Sequence, residues 1–266
     1  MIYLRCFWGI VWRELLRFVH QRGRFIAALV RPLVWLIVFA AGFRMALGVA
    51  ITPPYQTYIT YEVYIIPGLI GMVQLFNGMQ SSLSMVYDRE MGSMRVLLVS
   101  PLPRGFLLMA KLVAGTLVSI IQVYVFLFIA YLYGIRLPTG GWMFVLPALF
   151  LTGLMVGSLG LLLSSFIKQL ENFAGVMNFV IFPMFFLSSA LYPIWRLREA
   201  SPPIARLADL NPFTHAVEMI RFALYGQLNF EATGIVVATT AVLLGLAILG
   251  YNPARGMMDR KGAAAE

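Results

Sequence analysis

Six apolar runs, each near the length of a bilayer-crossing helix, constrain this chain more than any other feature. They lie at about 25–47, 58–86, 105–134, 142–167, 171–191 and 232–252. A helix needs about 20 apolar residues to cross a bilayer. Lipid offers backbone groups no hydrogen-bond partner, so a crossing segment is a helix or part of a closed barrel. These runs are continuous rather than alternating, which excludes a barrel. Composition agrees: 61% of the 266 residues are hydrophobic and 12% are charged, where a soluble domain carries about 25% charge. The expectation is an all-α integral membrane protein with six transmembrane helices.

Two segments stand apart from the spans. Residues 1–24 read as an amphipathic helix lying on the cytoplasmic membrane surface. Leu4, Phe7, Val11, Leu15 and Phe18 share one face, Arg13, Arg17, His20 and Arg24 another, and Trp8 and Trp12 are interfacial anchors. The remainder, 25–266, is the transmembrane domain. Within it, residues 192–231 contain Pro193, Pro202, Pro203 and Pro212. They are too polar for a lipid-exposed span and too apolar for a free loop. Short re-entrant helices dipping into the outer leaflet, shielded by protein, fit that composition.

Charge sets the orientation. With the N-terminus inside, the cytoplasmic pieces hold 14 basic and 6 acidic residues and the outer pieces 6 and 5. Net charge is then +8 inside and +1 outside, which places both termini in the cytoplasm. The overall charge of +9 therefore reflects topology, and no nucleic-acid partner is expected. Cys6 is the single cysteine, and His20 and His215 are the two histidines, far apart in sequence. No metal site is expected.

The segment from Tyr87 to Lys111 is charged and punctuated by Pro101 and Pro103. Met91, Met94 and Leu98 make a short apolar stripe, with Asp88, Arg89, Glu90, Ser93 and Arg95 around it. The residues alone allow a short amphipathic helix that transmits a push, or an ordinary solvated connection. Inside the spans, Gln74, Asn77, Ser81 and Ser84 repeat at helical spacing, as do Thr116, Ser119 and Gln122. They read either as a translocation pathway or as interhelical hydrogen-bonding groups. Gly153, Gly157 and Gly160 read as close-packing positions. His215, Glu218 and Arg221 share a helix face and make either an outer gate or a local Glu218–Arg221 ion pair. The turn at Lys168-Gln169-Leu170-Glu171 is a second candidate contact on the inner side, or a solvated turn.

The order Asp88-Arg89-Glu90-x-Gly92-Ser93-x-x-x-Leu97-Leu98-x-Ser100-Pro101-x-x-Arg104, then Lys111, resembles the cytoplasmic loop of type-2 ABC transporter permeases. Pro67-Gly68-Leu69 in the second run, and Leu210-Asn211-Pro212-Phe213-Thr214 with Arg221 downstream, are similar to the same family. The resemblance implies a bacterial inner-membrane permease of an ATP-driven exporter. It implies a coupling helix at about 88–100, containing Asp88 to Arg95 and Leu98, seated on a separate P-loop ATPase. Met94-Arg95 stands where many members carry Leu-Glu, and Ser93 where Thr is commoner. A second copy is the expected partner in the membrane, giving a homodimer.

Phosphate-binding loops end in Gly-Lys-Ser/Thr. Lys111, Lys168 and Lys261, the only lysines, do not fit that pattern. ATP and magnesium are therefore expected in the ATPase, with no cofactor and no catalytic residue in this chain. The alternative, a secondary transporter or channel independent of ATP, needs a charged group at mid-membrane. In the runs the candidates are Glu62 and Arg44, both near outer ends. Twenty Phe, twelve Tyr, five Trp and fifteen Met suit an amphiphilic, lipid-linked, glycan or drug-like cargo, and equally any lipid-facing protein.

Overall fold

A computed structural model describes residues 1–20, 22–43, 53–55, 59–90, 102–138, 140–167 and 169–250. Among the described residues ten helices follow one another. They are α1 (Ile2–His20), α2 (Arg22–Phe43), α3 (Tyr61–Glu90), α4 (Arg104–Leu132) and α5 (Gly141–Phe166). After them come α6 (Leu170–Phe186), α7 (Ile194–Ala200), α8 (Pro202–Leu210), α9 (Pro212–Leu224) and α10 (Phe230–Gly250). The chain is an all-α membrane protein. Among the described residues, three helices are long and apolar enough to cross a bilayer: Gly105–Leu132, Gly141–Phe166 and Phe230–Gly250. Shorter apolar stretches run over Ala28–Val38 in α2 and Leu170–Phe186 in α6.

The second apolar run becomes α3, 30 residues long and so about 45 Å from end to end. Every residue from Tyr64 to Phe76 is buried. A helix apolar all round is one surrounded by others, and α3 packs against α2, α4, α5, α6 and α9. Its tightest neighbour is α5. A Cβ on Gly78 would lie 3.0 Å from the backbone nitrogen of Gly157 and the carbonyl carbon of Val156. On α5, Gly153 lies against Thr116 and Gly160 against the Gly78 carbonyl, so these glycines sit where helices approach closely.

The bundle has two distinct ends. One collects the end of α3, the start of α4, the end of α5, the start of α6 and the end of α10. Gly250 meets Ser165 there, and α1 brings Tyr3 edge-on to Phe106 at 5.2 Å. In α1, Val11 is buried, Phe7, Leu15 and Phe18 are half-buried, and Leu4, Trp8 and Trp12 are exposed. Part of the face read as membrane-facing thus packs on α4 and α2. The opposite end carries the α4–α5 turn and the three short helices α7 to α9. The fifth apolar run stops being helical at Phe186, five residues before the sequence expectation of 191. Ser188 offers a local alternative to the helix there: its Oγ donates to the Phe185 carbonyl (2.6 Å) and accepts from the Ala190 amide (3.2 Å).

Candidate functional site

The residues of the expected coupling helix are only partly within view. Asp88, Arg89 and Glu90 form the last turn of α3, which runs past the sequence boundary of 86. Met91, Gly92, Ser93, Met94, Arg95 and Leu98 lie outside the described residues, as does Lys168. The flanks are defined. Pro103 begins α4, with its carbonyl accepting from the amides of Phe106 (3.0 Å) and Leu107 (3.3 Å). Glu171 is exposed in the first turn of α6 at the same end.

The intramembrane polar residues do converge. Gln74 and Asn77 on α3 face α5 and α4. The Gln74 amide donates to the Leu149 carbonyl (2.7 Å), and the Asn77 amide donates to Gln122 Oε1. The hydroxyls turn back on their own helices. Ser84 donates to Ser81 O (2.7 Å), Thr116 to Leu112 O (3.0 Å) and Ser119 to Thr116 O (2.8 Å). Between α3, α4 and α5 remains a space of about 10 Å³, lined by Gln74, Ser81, Ser82, Thr116 and Ser119. That is room for about one water. Lys111, buried in α4, lines the same space toward the end where α4 begins. Gln74 and Asn77 thus bond from helix to helix, as polar groups in a bundle interior do, while the hydroxyls are satisfied within their own helices. Among the described residues, no group of three His, Cys, Asp or Glu is placed to hold a metal.

At the opposite end, Arg221 on α9 is 4% exposed and is the centre of a second network. Its Nη1 donates to Glu218 Oε1 (3.0 Å) and to the Tyr64 hydroxyl (2.9 Å), and its Nη2 donates to the Ser189 carbonyl (2.8 Å). The guanidinium also lies 4.0 Å over the Tyr64 ring, a cation–π contact strengthened by desolvation. Glu218 and Arg221 therefore pair. His215, the third residue of the expected trio, turns away and donates from Nε2 to the Asp209 carbonyl (2.9 Å).

Around this network the chain solves a backbone problem. Residues 187–193 leave the helix in an apolar setting, so their carbonyls need side-chain donors. Asn211 donates to Met184 O (2.7 Å) and Leu187 O (2.6 Å), while its Oδ1 accepts from the Phe213 amide (3.0 Å) as the cap of α9. Pro212 sits at the first helical position, where a missing N–H costs nothing. Tyr64 donates to Ser189 O (3.2 Å) and Tyr61 to Leu191 O (2.8 Å). Tyr192 donates to Phe186 O. Gly68 lets the segment reach α3, since a Cβ there would fall against the Ala190 carbonyl oxygen and within 2.7 Å of its Cα and carbonyl carbon. Gly71 accommodates the Phe213 ring in the same way. Two sequence motifs read separately, Pro67-Gly68-Leu69 and Asn211 to Arg221, thus grip one segment. Sequence reasoning missed Tyr61 and Tyr64. Their signal is the stripe Tyr61, Tyr64, Gly68, Gly71 at i, i+3, i+7 and i+10, two donors followed by two glycines on one helix face.

Comparison with known proteins matches this sequence to a family. A profile described as ABC-2 type transporter covers residues 5–225, from α1 through α9. The chain is similar to the transport permease ycf38 of Cyanophora paradoxa, 29% identical over 203 residues, which are 74% of this chain and 66% of that protein. It is similar to nodulation protein J of Rhizobium leguminosarum bv. viciae, 23% identical over 83% of each chain. The daunorubicin resistance ABC transporter permease protein DrrB1 of Streptomyces coeruleorubidus is 23% identical over 88% of this chain and 80% of its own. With the profile running through both networks, the chain belongs to the ABC-2 type transporter permease family.

Proposed function

We propose that the chain is the membrane subunit of an ATP-driven exporter, working as a homodimer over two separate P-loop ATPase subunits. The observation that carries this reading is the continuous family match over residues 5–225, in a chain whose three lysines lie outside any phosphate-binding loop. The geometry supports it in two ways. The connection from α3 to α4 emerges at the end where α1 packs and the inner charges gather, as a cytoplasmic docking segment requires. Inside one subunit Gln74 and Asn77 bond across helices and the hydroxyls close on their own helices, around a space for about one water. That favours a cargo path between two copies over one through a single copy.

The cargo class we propose is amphiphilic: lipid-linked, glycan or drug-like. The relatives named for daunorubicin resistance and as a multidrug ABC transporter permease, YbhR of Escherichia coli strain K12 (30% identical over 52% of this chain and 38% of its own), support the drug-like end of that range. The membrane is the bacterial inner membrane, with both termini cytoplasmic.

Two experiments test this reading. Purified alone, the chain hydrolyses no ATP, and magnesium-dependent hydrolysis appears only with a separate ATPase. Robust turnover by the isolated chain sinks the proposal. Topology is read by cysteine labelling after Cys6 is replaced. Ser201→Cys, between α7 and α8, reacts with an impermeant external reagent, whereas Ser93→Cys does not. Labelling of Ser93→Cys from outside reverses the topology and removes the docking argument.

A further inference from the structure

The outer helices are not tethered as a loose lid. The break at 187–193 and helix α9 are fastened to α3 by three kinds of contact. Tyr61 and Tyr64 donate to the carbonyls of Leu191 and Ser189. Gly68 admits the Ala190 backbone. Arg221 holds Tyr64 and Ser189 at once while paired with Glu218. The other end of α3 continues into the segment between Glu90 and Arg104, the proposed ATPase dock. One helix of about 45 Å therefore joins the docking end to the outer cap.

We propose that Arg221 is a positioning residue that makes the cap α7–α9 move as one body with α3, so that a push at the ATPase end is delivered at the outer end. This rests on the permease reading above. Arg221 suits the task because its planar fork reaches three acceptors, on Glu218, Tyr64 and Ser189, in fixed directions, which a lysine ammonium does not do. Arg221 Nε has no hydrogen-bond partner among the described residues, so Nη1 and Nη2 carry the clasp. Glu218, 23% exposed in its side chain, links the buried cation to the outer surface.

The test uses the permease–ATPase complex in nanodiscs, with Cys6 replaced and one spin label per subunit. The label sits at Thr60→Cys, just before α3, or at Ser201→Cys, in the cap. Distances between the two copies are measured without nucleotide and after trapping with ATP and orthovanadate. In the parent, both labels shift on trapping. In Tyr64→Phe, which removes one hydroxyl and keeps the ring under the guanidinium, the Thr60 shift remains while the Ser201 shift is lost or broadened. Arg221→Gln gives the same separation of the two labels. If Thr60 and Ser201 still shift together in both variants, or if Thr60 shifts and Ser201 does not in the parent, the clasp does not couple them and the inference is overturned. If the Thr60 label is insensitive to nucleotide in the parent, the permease reading falls, and the clasp inference with it.

Discussion

Gly68→Ala lowers the stability of this protein on the order of 3 kcal/mol, although it adds a single methyl group. Overpacking ordinarily costs about 1–3 kcal/mol, because flexible side chains can yield. Here the new Cβ meets backbone: the Ala190 carbonyl oxygen, with its Cα and carbonyl carbon at 2.6 and 2.7 Å. Only a shift of the 188–191 segment relieves it. That shift pulls Ser189 O from Arg221 and Tyr64, and Leu191 O from Tyr61. A buried acceptor left unpaired costs about a further 1–3 kcal/mol. The comparison is Gly175→Ala on α6, where a Cβ meets nothing within 4 Å. That change stabilises by roughly 0.5–1 kcal/mol through helix propensity. Apparent melting temperatures in detergent read both changes. For a protein of this size about 3 kcal/mol corresponds to a fall of roughly 6–12 °C, and Gly175→Ala moves the other way. Equal melting temperatures for the two variants would show that the 188–191 segment is not held against α3.

Leu98→Ala or Met94→Ala lowers recovery of the ATPase with the permease about tenfold, with membrane levels unchanged. Both belong to the apolar stripe of the proposed coupling helix at 88–100. Truncating a packed core side chain costs roughly 2–5 kcal/mol, and a partly exposed docking surface loses less. A loss of about 1.4 kcal/mol is a tenfold loss of association. Gly92→Pro is more severe, because proline removes a helix hydrogen bond and clashes with the preceding turn. The measurement is co-purification of the ATPase at matched expression, with stimulated hydrolysis as a second readout. Parental recovery and hydrolysis in all three variants would leave the segment as a plain connection and end the coupling argument. The variants at Gly68 and at Leu98 separate the two ends of the molecule: the first disturbs the fold at the end that carries α7 to α9, the second only the docking of a partner.

Much of the architecture is legible in the sequence because lipid removes choices. A run of apolar residues in a bilayer must be helical to satisfy its own backbone, so the apolar runs at 105–134, 142–167 and 232–252 become α4, α5 and α10 with ends displaced by two residues or fewer. The proline-rich interval 192–231 likewise yields short helices, since Pro193, Pro202 and Pro212 each precede or begin one. The Glu218–Arg221 pair follows from i, i+3 spacing. These are local consequences, settled within a few turns of chain.

What the tertiary structure alone decided is which distant groups meet. Nothing local to Tyr64 indicates that its hydroxyl will find the carbonyl of Ser189 and the guanidinium of Arg221, 125 and 157 residues away. The same holds for Gly68, whose missing side chain matters because of one backbone on another segment. The early end of α6 at Phe186 is also a tertiary decision: Ser188 supplies a local alternative to the helix, but the freed carbonyls are stable in apolar surroundings only because Asn211, Tyr61, Tyr64 and Arg221 arrive to bond them. Helix formation in lipid is enforced residue by residue through the backbone, whereas an irregular segment at that depth depends on donors from elsewhere in the chain.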